Sequence, residues 1–120
     1  MKKIKITKTG YYGFDNLNNK DERSKQWEKE RKKQGFDETE TWSLGDTIIL
    51  FTIPRLKYFI KIEEEQQQQE TKFIKKLKRI KNGLELFIKE NGSRNYTEKE
   101  AKEVKKALKD FGKILPKLWN

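Results

Sequence analysis

Arg55 is the residue whose setting first suggests chemistry. It stands in Pro54-Arg55-Leu56-Lys57-Tyr58-Phe59, within the one long, mostly apolar stretch of the chain, residues 35–62. Four acids, Asp37, Glu38, Glu40 and Asp46, lie ahead of it. A buried guanidinium without a counter-charge is very costly, so Arg55 must be paired or must face a ligand. Two readings follow. In one, Arg55 folds back onto Glu40 or Asp37 as a bidentate ion pair and fixes how the acidic loop leads into a helix. In the other, Arg55 and Lys57 hold a phosphate or carboxylate while Trp42 or Tyr58 stacks on a base.

Two further sets carry charge beside aromatic or apolar residues. Lys72, Lys75, Lys76, Lys78, Arg79 and Lys81 fall on one amphipathic helix. Such a face suits the phosphate backbone of nucleic acid, where each neutralised phosphate releases counterions. It also suits an anionic membrane surface, or is a solvated face whose cations balance the acids at 63–70. Tyr11, Tyr12 and Phe14 stand near Lys8 and Lys20, a mixture that binds single strands or nucleotides by stacking or closes the edge of a core.

The residue inventory excludes much else. The chain has no Cys, so it forms no disulfide and offers no thiolate ligand or nucleophile. It has no His, the commonest general base and metal ligand. No phosphate-binding glycine loop or zinc spacing is present. A carboxylate-only Mg²⁺ or Ca²⁺ site stays open by composition, but no cofactor or metal is expected, and neither is catalysis. The net charge of +10, from 29 basic and 19 acidic residues, attracts anions or serves solubility.

These residues need a frame to hold them. At 120 residues and 32% hydrophobic content, one domain with a thin core is expected, and a homo-oligomer is one way to enlarge that core. Residues 2–9 alternate in polarity, with Ile4 and Ile6 on one face, and predict a short strand or extended arm, followed by a loop to residue 19. Residues 21–34 predict a charged helix docked through Trp27, capped by Asn19 or Asp21 and ended by Gly35. A helix starting near residues 41–43 then carries apolar residues all round, as a central helix does. Pro54 predicts a kink or break in it, and the β-branched run at 47–52 makes a strand the rival there. Residues 63–70, EEEQQQQE, read as a polar link or a helix extension. Phe73, Leu77, Ile80, Leu84 and Phe87 predict a helix over about 71–89, closed by Asn91-Gly92. Thr97 and Glu100 form a capping box for a last helix with Ala101, Val104, Leu108, Phe111, Leu115 and Leu118 on its apolar face. The fold class is therefore mainly α: a small bundle of three to four helices with a kinked central helix and a short N-terminal strand or arm.

The pattern Gly35-Phe36-Asp37, Glu40-Thr41-Trp42, Leu44, then Pro54-Arg55-Leu56-Lys57 and Phe59 resembles a family of small uncharacterised proteins of tailed phages and prophages of gut bacteria. The closing GLELFIK and FGKILPKLW are similar to the family's ending. The resemblance covers about two thirds of the chain and departs after residue 62, where EEEQQQQE replaces a Gly/Pro-containing loop. It implies a phage origin and no defined activity.

Three functions follow as expectations. The first is a counter-defence protein in the host cytoplasm that sequesters a phosphate-bearing ligand, a nucleotide signal or nucleic acid. The second is an inhibitor or adaptor of a host or defence protein, using an aromatic patch near Trp27 or Trp119. The third is a DNA- or RNA-binding regulator, although no helix-turn-helix is visible. The opening MKKIKITKTG lacks the apolar core of a signal peptide. The longest apolar run, at 47–53, is too short to span a membrane.

Overall fold

The computed structural model describes residues 5–6 and 12–13 by their backbone, and residues 22–89 and 96–119 with side chains. It is mainly α, a small helical bundle as the sequence predicts, with four α-helices among the described residues. The chain forms two compact units, Met1–Phe51 and Thr52–Asn120.

In the first unit, β1 (Lys5–Ile6) pairs antiparallel with β2 (Tyr12–Gly13), Lys5 opposite Gly13 and Ile6 opposite Tyr12. Of the strand expected over 2–9, Lys5–Ile6 is the described part, and β2 lies within the stretch expected to be loop. Helix α1 (Ser24–Gln34) buries one large side chain, Trp27. Its N-cap position falls on Arg23, which makes no side-chain cap bond. The expected caps, Asn19 and Asp21, lie outside the described residues. Gly35 ends the helix as predicted: its φ of 90° is a left-handed conformation that glycine adopts without a Cβ penalty, and its N–H donates to the Arg31 carbonyl. A 3₁₀ turn (Glu38–Thr41) leads into α2 (Leu44–Gln67).

Helix α2 settles the strand-or-helix question at 47–52 in favour of helix. Propensity is a weak prior there, and burial of Ile49 on one side of the helix accompanies the outcome. Of the kink or break expected at Pro54, the break does not occur: the helix continues through Pro54 to Gln67. Pro54 has no N–H to give the Leu50 carbonyl, so one intrahelical bond is missing at that point. Nor is α2 covered all round. Ile49, Leu56 and Ile60 are buried, whereas Leu44, Ile48, Phe51 and Tyr58 keep 48–62% of their surface.

The second unit takes α2 from Thr52 onward, α3 (Lys72–Ile88), α4 (Glu98–Ile114) and a terminal 3₁₀ turn (Leu115–Lys117). Most of the polar segment at 63–70 is helix extension: residues up to Gln67 are helical, and Gln68 then adopts a left-handed φ of 56°. The Lys78 ammonium bridges Glu64 and Glu70 at 3.0 Å each, and Lys57 lies 3.7 Å from Glu85. These pairs order α2 and α3 antiparallel. The hydrogen bond and charge of Lys78 hold the Glu70 carboxyl below its ordinary value, and Glu70 and Glu64 raise the Lys78 ammonium. All three groups are solvent-exposed, so they set register more than stability.

The core of this unit matches the predicted stripes in part. Leu77, Ile80, Leu84 and Val104 are buried as expected, and Phe73, Phe87, Phe111 and Leu118 are half-buried. Ala101, Leu108 and Leu115 are exposed, and Ile74, Ala107 and Ile114 are buried in their stead. Ile74, Leu77, Ile80 and Leu84 of α3 are essentially inaccessible and join Leu56, Ile60, Val104, Ala107 and Ile114. Thr71 caps α3 by accepting from the Ile74 N–H. The capping box at the start of α4 is present in both directions: Thr97 accepts from the Glu100 N–H, and Glu100 accepts from the Thr97 N–H. Lys89 donates to Glu100 at 3.4 Å across the α3–α4 connection. Further along, α3 and α4 close together at Gly83. A Cβ added there would overlap that of Ala107 and meet the Glu103 carbonyl oxygen at 3.3 Å.

Two outcomes follow. Gly83→Ala gains helix propensity of about 1 kcal/mol but forces the helices apart, at a cost of about 1–3 kcal/mol. The melting temperature should fall, with part of the loss recovered by Ala107→Gly in the same chain; a rise would contradict the close approach. The Glu100 carboxyl lies below its ordinary value of 4.5 because of its backbone bond from Thr97, with help from Lys89. Its contribution is therefore complete above about pH 4.5 and is lost as pH falls through the depressed folded value. The melting temperatures of the native chain and Glu100→Gln should converge on acidification.

Candidate nucleic-acid interface

The acids ahead of α2 have an internal purpose. Asp37, 2% exposed, caps the 3₁₀ turn and accepts from the backbone N–H and hydroxyl of Thr39. Its second oxygen accepts from Arg31 Nη1 at 2.5 Å. Glu40 accepts from the Asp37 N–H, and Glu30 from the Glu38 N–H. Each bond satisfies a turn donor that would otherwise be orphaned. The charged partner of Asp37 is thus Arg31, where the sequence suggested Arg55. The reversal at Gly35 returns the chain toward α1 and brings Asp37 beside a residue six positions earlier. Sequence reading missed Arg31, although an arginine in the last helical turn before Gly-x-Asp is a usable signal.

Arg55 is exposed on α2, so the premise of a buried guanidinium does not hold. It shares a helix face with Tyr58, three residues on, which is 62% exposed. Lys57 points elsewhere, toward Glu85, and Lys61 lies 5.8 Å from the Tyr58 ring. Trp42 belongs to the first unit. It packs edge-on against Trp27, with centroids 5.7 Å apart, and the Arg23 guanidinium lies over both rings at 5.4 and 4.8 Å. Tyr11 and Phe14 lie outside the described residues, and Tyr12 is described only by its backbone in β2.

The basic set on α3 divides. Lys78 is held by two glutamates and Lys81 by Glu85 at 3.2 Å. Lys75 acts electrostatically on Glu70, and Lys76 is half-buried. Lys72 and Arg79 are exposed and form no ion pair among the described residues. A second basic set, which sequence reading passed over, lies on α4. Lys102, Lys105, Lys106, Lys109 and Lys113 all project from the side away from Val104, Ala107 and Ile114. Their spacing of three and four was available in the sequence, where the same helix was read for its apolar face. Asp110 is the one acid among them, 3.5 Å from Lys106.

Arg79 and Lys106 also border a groove of about 200 Å³ between α3 and α4, whose floor is opened by Gly83. Glu103 and Asp110 line it too. This volume is below the ~300–1,000 Å³ of small-molecule sites. The space among the α4 lysines is larger, about 340 Å³, but it is an open surface of one helix. Among the described residues there is no group of three or more acids placed to hold a metal, and no helix is long and apolar enough to cross a membrane.

Comparison with known protein families, with curated proteins and with solved structures gives no match. The functional reading therefore rests on the geometry above.

Arg31→Ala leaves the Asp37 carboxylate buried without its partner, and loss of one member of a buried pair costs about 3–5 kcal/mol. In a Trp119→Phe background, where the emission comes from Trp27 and Trp42, tryptophan fluorescence should show the first unit loosened under conditions where the parent chain is folded. An unchanged unfolding curve would remove Arg31 from this role.

Proposed function

We propose that this chain is a small non-catalytic protein that binds nucleic acid through the lysines of α4, assisted by Lys72 and Arg79 of α3. The observation that carries the reading is the concentration of five lysines on one side of α4, with a single acid among them. Phosphate neutralisation needs this and no more: flexible ammonium groups, exposed, at helical spacing. A free nucleotide signal fits less well, because the α3–α4 groove is small and carries Glu103 and Asp110. Arg55 and Tyr58 on α2 remain candidates for a secondary contact through charge and stacking. The phage resemblance supports a setting in the host cytoplasm, where such a binder would act in counter-defence.

A second reading has its own observation. Trp119 is 79% exposed, and Leu115 and Leu108 are 52% and 38% exposed. This apolar edge suits a protein partner, whether a host protein or a second copy of the chain. Trp27, in contrast, is buried and offers no such surface.

The test is fluorescence anisotropy of labelled nucleic acid with the purified chain. Binding should weaken steeply with salt, and Lys105→Glu with Lys109→Glu should reduce affinity more than tenfold. No binding at any salt, with partner capture that survives these changes and is lost in Trp119→Ala, would favour the second reading.

A further inference from the structure

We infer that α4 meets nucleic acid as a ridge seated in the major groove of duplex DNA, with lysines reaching phosphates on both walls and no base sequence read. This rests on the nucleic-acid reading above and deepens it. At 100° per residue, Lys105 lies on one flank of α4, Lys102, Lys109 and Lys113 along the crest, and Lys106 on the other flank. The fan spans about 100° of the helix surface. An extended strand laid on a cylinder touches one line of it and leaves the other flank unmatched. A planar anionic surface touches the crest alone. A groove with anionic walls touches both flanks, and the B-DNA major groove, ~12 Å wide, admits an α-helix. The deep, narrow major groove of an RNA duplex does not.

The surroundings point the same way. The opposite face of α4 is closed by packing at Val104, Ala107 and Ile114, so the lysine side is its convex, free side. From Lys102 to Lys113 the ridge is about 16 Å long, and a duplex presents about ten phosphates over that distance. The concave track that a single strand would follow, between α3 and α4, carries Glu103 and Asp110 against Arg79 and Lys106 and so has no net positive charge to hold phosphate. Single-strand binders also need aromatic platforms. Within the ridge the only aromatic is Phe111, and it is partly buried on the packed side. Arg, Asn and Gln, whose planar groups read bases through paired hydrogen bonds, do not occur in α4. Its lysines are flexible point charges that suit phosphate, and whether they also meet guanine edges is decided by comparing duplexes of unrelated sequence.

The experiment uses the full chain and anisotropy probes of about 20 base pairs, long enough for every contact counted here. They are two DNA duplexes of unrelated sequence, one of their single strands, and an RNA duplex; vesicles containing phosphatidylserine are tested separately. The two DNA duplexes should bind equally, and both at least tenfold more tightly than the single strand or RNA. Lys105→Ala and Lys106→Ala, on opposite flanks, should each lower the slope of log affinity against log salt by about 1, with helicity and melting unchanged. Equal or tighter single-strand binding, loss from one flank only, or a tenfold difference between the two duplexes would overturn the groove geometry while leaving the nucleic-acid reading standing. Binding to vesicles and to no nucleic acid would overturn both.

Discussion

At Gly83 α4 comes so near to α3 that no side chain fits between them, and the arrangement of the second unit depends on that approach. A glycine inside a helix weakens it locally. Here the loss is offset by contact between two helices along their length, with Leu84, Ile80 and Leu77 on one side and Ala107 and Val104 on the other. The same approach determines which part of α4 is covered and which is free. The covered part is apolar, and the free part holds the lysines. A helix set farther away would leave the core thin, in a chain where only 32% of residues are hydrophobic.

Charge is handled differently in the two units. In the first, a carboxylate is buried and must be fully satisfied, and Asp37 achieves this through Arg31, Thr39 and the turn backbone. In the second, Glu63 is buried, but the ion pairs lie at the surface, where Lys78, Glu64 and Glu70 or Lys81 and Glu85 pair in water at little net gain. On α4 Lys106 alone of the five lysines is paired in this way among the described residues, with Asp110. Five cations on one helix side, with one acid among them, repel one another, and such an array gains from an external polyanion.

Much of the fold was legible because it is local. The stripe from Leu77 to Leu84, the Thr97–Glu100 box and the Gly35 stop each depend on residues within a turn or two of one another. Arg31–Asp37 was not, because it needs the reversal at Gly35 before the two side chains can meet. Arg55 misled for a related reason. A window of apolar neighbours shows that a segment is hydrophobic but not which of its faces is covered, and Arg55 lies on an exposed one. Gly83 reads in sequence as a weak point in a good helix, and its purpose is visible only once Ala107 is opposite. The lysines of α4 were legible by spacing, and attention to the apolar stripe obscured them.

The order of elements along the chain has a kinetic consequence. Helix α3 is complete on the ribosome at Ile88, while the last buried residue that covers it, Ile114, is made 26 residues later. At roughly 10 residues per second this leaves a few seconds in which α3 has α2 as its sole packing partner within the second unit. Until α4 is made, α2 alone can cover α3 within this unit, in the antiparallel order marked by the Lys78 and Lys57 pairs. A slowed or stalled ribosome would prolong the exposure of Ile80 and Leu84, so this chain's yield in a cell should depend on the speed at which its final helix is translated.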